Sequence, residues 1–117
     1  MRVFVFEDNL MWSSRLLQTL RSLGHEPILR TAMPSDREGA DVAIVNLGSA
    51  KIPNAELIPH LKTLGIHVIG HAGHKEKELM AFGEDAGCDT LATNSELTFK
   101  IEAILNRIQA PGVLEVE

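Results

Sequence analysis

Two unbroken apolar runs, Val3-Phe4-Val5-Phe6 and Val42-Ala43-Ile44-Val45, interrupt an otherwise mixed chain. Neither alternates with polar positions, so each predicts a strand buried on both faces, as in a parallel sheet covered by helices. Ile66-His67-Val68-Ile69-Gly70 predicts another such strand, Pro27-Ile28-Leu29-Arg30 a weaker one, and Asp89 to Ala92 a short fifth. The intervening segments carry helical spacing. Asn9 can cap a helix that places Leu16, Leu17, Leu20 and Leu23 on one side and ends at Gly24. A second, starting after Pro53, carries Leu57, Ile58, Leu61 and Leu64 and closes at Gly65; Pro59 inside it sets its start or bends it. A third runs from His74 to Ala86 and closes at Gly87. The clearest runs from Ser95 to Ile108, with Leu97, Ile101, Ile104, Leu105 and Ile108 along one stripe. Thr31 to Gly39, with Pro34 and mixed charge, predicts a short helix or a loop. Ala110-Pro111-Gly112 should stop the last helix, leaving a domain over 1–109 and a tail over 110–117.

Alternation of buried strands with amphipathic helices implies a parallel sheet with helices on both faces. Right-handed crossovers then give a doubly wound, three-layer α/β sandwich in flavodoxin-like order, five parallel strands arranged 2-1-3-4-5. Sites in such folds form beyond the carboxyl ends of the strands. Those ends hold Glu7, Asp8 and Asn9; Asn46, Leu47 and Gly48; His71 to His74; and Thr93, Asn94 and Ser95.

Composition narrows the classes of function. The chain has 117 residues, 44% hydrophobic and 23% charged, with a formal net charge of −5. Nucleic-acid binding would call for clustered Lys and Arg, and no apolar run reaches the roughly 20 residues of a membrane span. Glu7 and Asp8 interrupt the N-terminal apolar run too early for a signal peptide. A single Cys88 forms no internal disulfide, which fits a reducing, cytoplasmic setting.

The ordered set of strand ends resembles the receiver domain of two-component response regulators. Val3 to Asn9 resembles that family's first strand and acidic pair, Asp41 to Leu47 its third strand, and Val68-Ile69-Gly70-His71-Ala72 its fourth. Ala86-Gly87-Cys88-Asp89 resembles the turn before its fifth. The resemblance covers residues 2 to about 108 and implies the fold given above. It also implies a phosphoacceptor carboxylate after the third strand, a hydroxyl after the fourth and a Lys after the fifth. These positions match Asn46, Ala72 (or Gly73, one residue on) and Asn94, and the aromatic switch matches Leu91. An amide is a poor nucleophile toward an acyl phosphate, and Asn94 supplies no charge. The acidic pair Glu7 and Asp8 persists. The resemblance therefore implies a stand-alone, degenerate receiver that acts in signal transduction by protein–protein interaction without phosphorylation, and is not an enzyme.

In the family Mg²⁺ sits on the acidic pair, the phosphoacceptor and a nearby backbone carbonyl, here Asp8, Asn46 and Gly48. Loss of one carboxylate weakens such a site, so no cofactor is expected, with Mg²⁺ the one candidate. Without metal, Asn46 relieves the like-charge repulsion that a third carboxylate would bring. Partners and homodimers of the family use the face of the last two helices and the strand between them, here marked by Leu91, Lys100 and Glu102.

Other residues read two ways. His71-x-x-His74 beside Asp8 suggests a pocket for a small ligand, a transition metal or an enzymatic reaction; the plainer reading is that His71 packs with a hydrogen-bond partner and His74 opens a helix. Trp12 is either an exposed interface anchor or core. Cys88 reads as a small buried hydrophobe. Gly70-His71-Ala72-Gly73 lacks the lysine and the glycine spacing of nucleotide loops.

Overall fold

The computed structural model describes residues 1–116, with side chains through residue 108. The elements follow in the order β1 (Arg2–Phe6), α1 (Leu10–Ser22), β2 (Glu26–Arg30), β3 (Val42–Asn46), α2 (Asn54–Thr63), β4 (His67–Ala72), α3 (Lys77–Ala86), β5 (Thr90–Thr93) and α4 (Asn94–Val116). The five strands form one sheet in the order β2-β1-β3-β4-β5, and every pairing is parallel. This is the predicted doubly wound, three-layer arrangement.

Strand alternation divides the core into two layers. Phe4, Phe6, Ala43, Val45 and Val68 face one way and pack with Leu57, Ile58 and Leu61 of α2, joined by Leu79 and Phe82 of α3. Val3, Val5, Val42, Ile44 and Ile69 face the other way, against Leu16 and Leu20 of α1 and Leu97, Ile101 and Leu105 of α4. β1 and β3 sit inside the sheet and are apolar on both faces because helices cover both. β2 lies at the edge, where Pro27 costs no ladder bond that the sheet needs.

Some boundaries settle alternatives the sequence leaves open, and others differ from those expected. Among the described residues there are four helices, because Thr31 to Asp41 forms turns and bends. Glu38 has φ 50° and Gly39 φ 79°, which no helix accommodates. Arg37 donates to the Ala40 carbonyl, and the Arg30–Glu38 ion pair of 2.8 Å secures the segment. α2 begins at Asn54, so Pro59 lies within it rather than at its start. α3 begins three residues later than expected, since Glu76 Oε1 accepts from the Gly73 N–H at 2.9 Å and holds Gly73 to Glu76 as a turn. Gly87 closes α3 with φ 112°, a left-handed conformation that glycine adopts without strain. α4 is interrupted at Lys100, whose φ of −124° and ψ of 17° are not helical. The stop expected at Ala110-Pro111-Gly112 is not seen: α4 continues through these residues to Val116.

Candidate functional site

The carboxyl ends of β1, β3 and β4 carry Glu7, Asn46 and His71 on the sheet face covered by α1 and α4. The alternation of each strand sets this: Val3 and Val5 precede Glu7 on that face, Val42 and Ile44 precede Asn46, and Ile69 precedes His71. Register then aligns them, since Asn46 pairs directly with His71. With Asn9, Trp12 and Asn94 they line a cavity of about 90 Å³.

Glu7 is 2% exposed, yet no Lys or Arg lines the cavity. Its carboxylate accepts three contacts from neutral donors. The Asn46 amide nitrogen lies 2.9 and 2.8 Å from its two oxygens, and the Asn9 N–H donates at 3.0 Å. Asn46 Oδ1 turns the other way and accepts from the Gly48 N–H at 2.9 Å. Asn54, the first residue of α2, donates to the Asn46 carbonyl at 2.9 Å and ties that helix to the end of β3. Both ends of the Asn46 amide are therefore occupied.

His71 is also 2% exposed. Its Nδ1 lies 2.7 Å from Asn94 Oδ1. An amide oxygen only accepts, so Nδ1 carries a proton, and in the neutral ring that burial favours Nε2 presents a bare lone pair. That atom is buried with no hydrogen-bond partner and lies 3.8 Å from Glu7 Oε2. Burial lowers the His71 pKa, against the opposing pull of the Asn94 bond and the Glu7 charge. Trp12 covers the imidazole, the ring centroids 4.7 Å apart and the planes 19° from parallel. Asn9 Oδ1 accepts from the Trp12 backbone N–H at 3.1 Å, so the cap of α1 also fixes the backbone that carries the indole.

The structure thus brings Glu7, Asn46 and Asn94 together, as the sequence placed them, but not Ala72. That residue faces the opposite core layer, with Val45 and Leu47, and His71 occupies the position expected for it. Asp8 is half-buried and does not line the cavity, and His74 is exposed on the turn after β4. Asp8, His71 and His74 therefore do not share this cavity. Among the described residues no group of three or more His, Cys, Asp or Glu side chains is placed to hold a metal ion. Gly48 is exposed beside Asn46. On the other expected face, Lys100 and Glu102 are exposed while Leu91 is half-buried against the core. Phe99, which the helical stripe leaves outside the core, is 83% exposed there. Burial pushes the Cys88 thiol up to about 11, so it is no nucleophile at neutral pH. Among the described residues no helix is long and apolar enough to cross a membrane.

No family model and no curated protein sequence matches the chain. Its fold is similar to solved receiver structures. A CheY-like response regulator receiver domain protein from Methanospirillum hungatei is 20% identical, with a TM-score of 0.70 over 92% of this chain and 95% of that one. The non-phosphorylated HemR receiver domain from Leptospira biflexa is 10% identical, with a TM-score of 0.76 over 93% and 94%. The phosphorylated cyanobacterial phytochrome response regulator RcpA is 16% identical, with a TM-score of 0.72 over 94% of both chains. At these identities the likeness is one of fold.

Proposed function

We propose that this chain is a receiver-fold signalling module that docks to a partner protein and does not accept a phosphoryl group. One observation carries the reading. At the end of β3, where a receiver presents its phosphoacceptor carboxylate, Asn46 directs its amide nitrogen at both oxygens of Glu7. The group that would attack phosphorus is replaced by one already engaged as a donor. The neutral network of Asn46, His71 and Asn94 fills the positions where charge and a hydroxyl would handle the phosphoryl group.

Docking would use the face of α3, β5 and α4, where Phe99, Lys100 and Glu102 are exposed together on one helix. A large exposed apolar side chain with charges of both signs beside it suits a protein partner or a second copy of the chain. The reading is tested by incubation with acetyl phosphate and Mg²⁺ followed by intact-mass measurement. The expected spectrum is unchanged, and an added phosphoryl group would overturn the proposal.

A further inference from the structure

The strand-end cavity is short of a cation. Glu7 is buried among neutral donors, and the nearest side-chain nitrogen without a partner, His71 Nε2, is itself an acceptor in the neutral ring. A buried carboxylate facing a buried lone pair 3.8 Å away leaves two acceptors with no donor between them. Burying such groups is costly unless a donor or an opposite charge arrives. The cavity has about 90 Å³, room for about three groups the size of a water molecule. That accommodates an ammonium head with a methylene or two, or a guanidinium. A divalent metal fits less well, because no third His, Cys, Asp or Glu side chain joins these two.

We propose that this cavity receives one N–H-bearing cation, the ammonium or guanidinium head of a lysine or arginine on a docked protein, with Glu7 supplying the charge and His71 Nε2 accepting an N–H. The proposal rests on the docking reading above and supplies its chemistry: the cation absent from the chain at Asn94 arrives from the partner. Trp12, the single tryptophan of the chain, lies against His71 and reports occupancy.

The test titrates the protein with n-butylammonium, methylguanidinium and Nα-acetyl-lysine amide at constant ionic strength and follows Trp12 fluorescence. Ligands of so few atoms should saturate on the order of millimolar. Tetramethylammonium, which has charge but no N–H, should give no saturable change. Glu7→Gln should weaken binding by about tenfold or more, the effect of removing a charged partner. His71→Phe keeps an aromatic ring beneath Trp12, removes Nε2 and should weaken binding as well; it serves if Glu7→Gln does not fold. Amide chemical shifts of Asn9 and Gly48 give a second readout in the unaltered protein. Absence of saturation by all three probes, an equal response to tetramethylammonium, or saturation by Mg²⁺ or Zn²⁺ alone would each overturn the proposal. None of these results produces a phosphoryl adduct, so failure here is distinguishable from failure of the docking reading.

Discussion

The Trp12 indole lies flat on the His71 imidazole, 4.7 Å between centroids, and seals a ring whose Nε2 has no hydrogen-bond partner. The stack joins the first turn of α1 to the end of β4. It covers one face of the ring and leaves the in-plane Nε2 directed toward Glu7 Oε2, 3.8 Å away.

A pH dependence follows. Burial holds the folded-state pKa of His71 below the ordinary value. Between that lowered value and the unfolded value of about 6.5, the unfolded chain binds a proton that the folded chain does not. Stability should therefore fall as pH drops through about 6.5 and level off below the folded value. His25 and His67 are lowered too, so the His71 share is a difference. Urea midpoints between pH 7.5 and 5 should fall less in His71→Gln than in the wild type. Equal slopes would show that His71 is not held neutral.

The phase of β4 is what the sequence hid. β1 and β3 were legible because unbroken apolar runs have few alternatives, and the helices because their leucines recur at helical spacing before a closing glycine. Yet a strand apolar on both faces has no polar alternation to show which residues share a face, and a slip of one residue reverses every assignment. The spacing predicts a strand over Ile66 to Gly70, and the family resemblance sets Ala72, or Gly73 one residue on, at the hydroxyl position. β4 continues to Ala72 and pairs Asn46 with His71, so the histidine enters the cavity and Ala72 joins the opposite core layer. The two readings of Trp12 were equally open because its stacking partner is 59 residues away in the chain.

Phe99 offers a clean test of the docking face. It is 83% exposed, so Phe99→Ser should change stability by less than about 0.5 kcal/mol. Self-association or partner binding through α4 should weaken at least tenfold, as for a buried aromatic anchor. Sedimentation velocity on the two proteins measures the first, and unchanged association would remove Phe99 from the interface.

Gly83 shows packing opposing helix propensity. Ala at an ordinary helix interior position gains about 1 kcal/mol over Gly. A Cβ at Gly83 would stand 2.8 Å from one Leu47 methyl and 3.0 Å from a Leu91 methyl. Leu47 has little room to retreat, because Gly70 already brings its backbone close to the same side chain. Overpacking of this kind costs about 1–3 kcal/mol, so Gly83→Ala should be destabilising by about 1 kcal/mol net. A raised melting temperature would mean that the α3–sheet contact yields more readily than these distances imply.

Asn46→Asp tests the central pair directly. The substitution removes the donor that both Glu7 oxygens use and sets a second carboxylate 2.8–2.9 Å from the first in a largely buried site. Loss of the buried bond together with like-charge repulsion should cost about 3 kcal/mol at neutral pH, roughly 10 °C in melting temperature for a chain of this size. The sign of its pH dependence differs from that of His71. Two facing carboxylates favour retention of a proton, so the folded variant binds more protons than its unfolded chain, and its deficit relative to wild type should shrink as pH falls toward 5. Millimolar Mg²⁺ at neutral pH should narrow the same gap by screening the pair, with a smaller effect on the wild type. Thermal melts at pH 7.5 and 5, with and without Mg²⁺, measure all three quantities. A variant as stable as the wild type at pH 7.5 would show that Glu7 does not depend on Asn46, and the reading of Asn46 as a committed donor would fall with it.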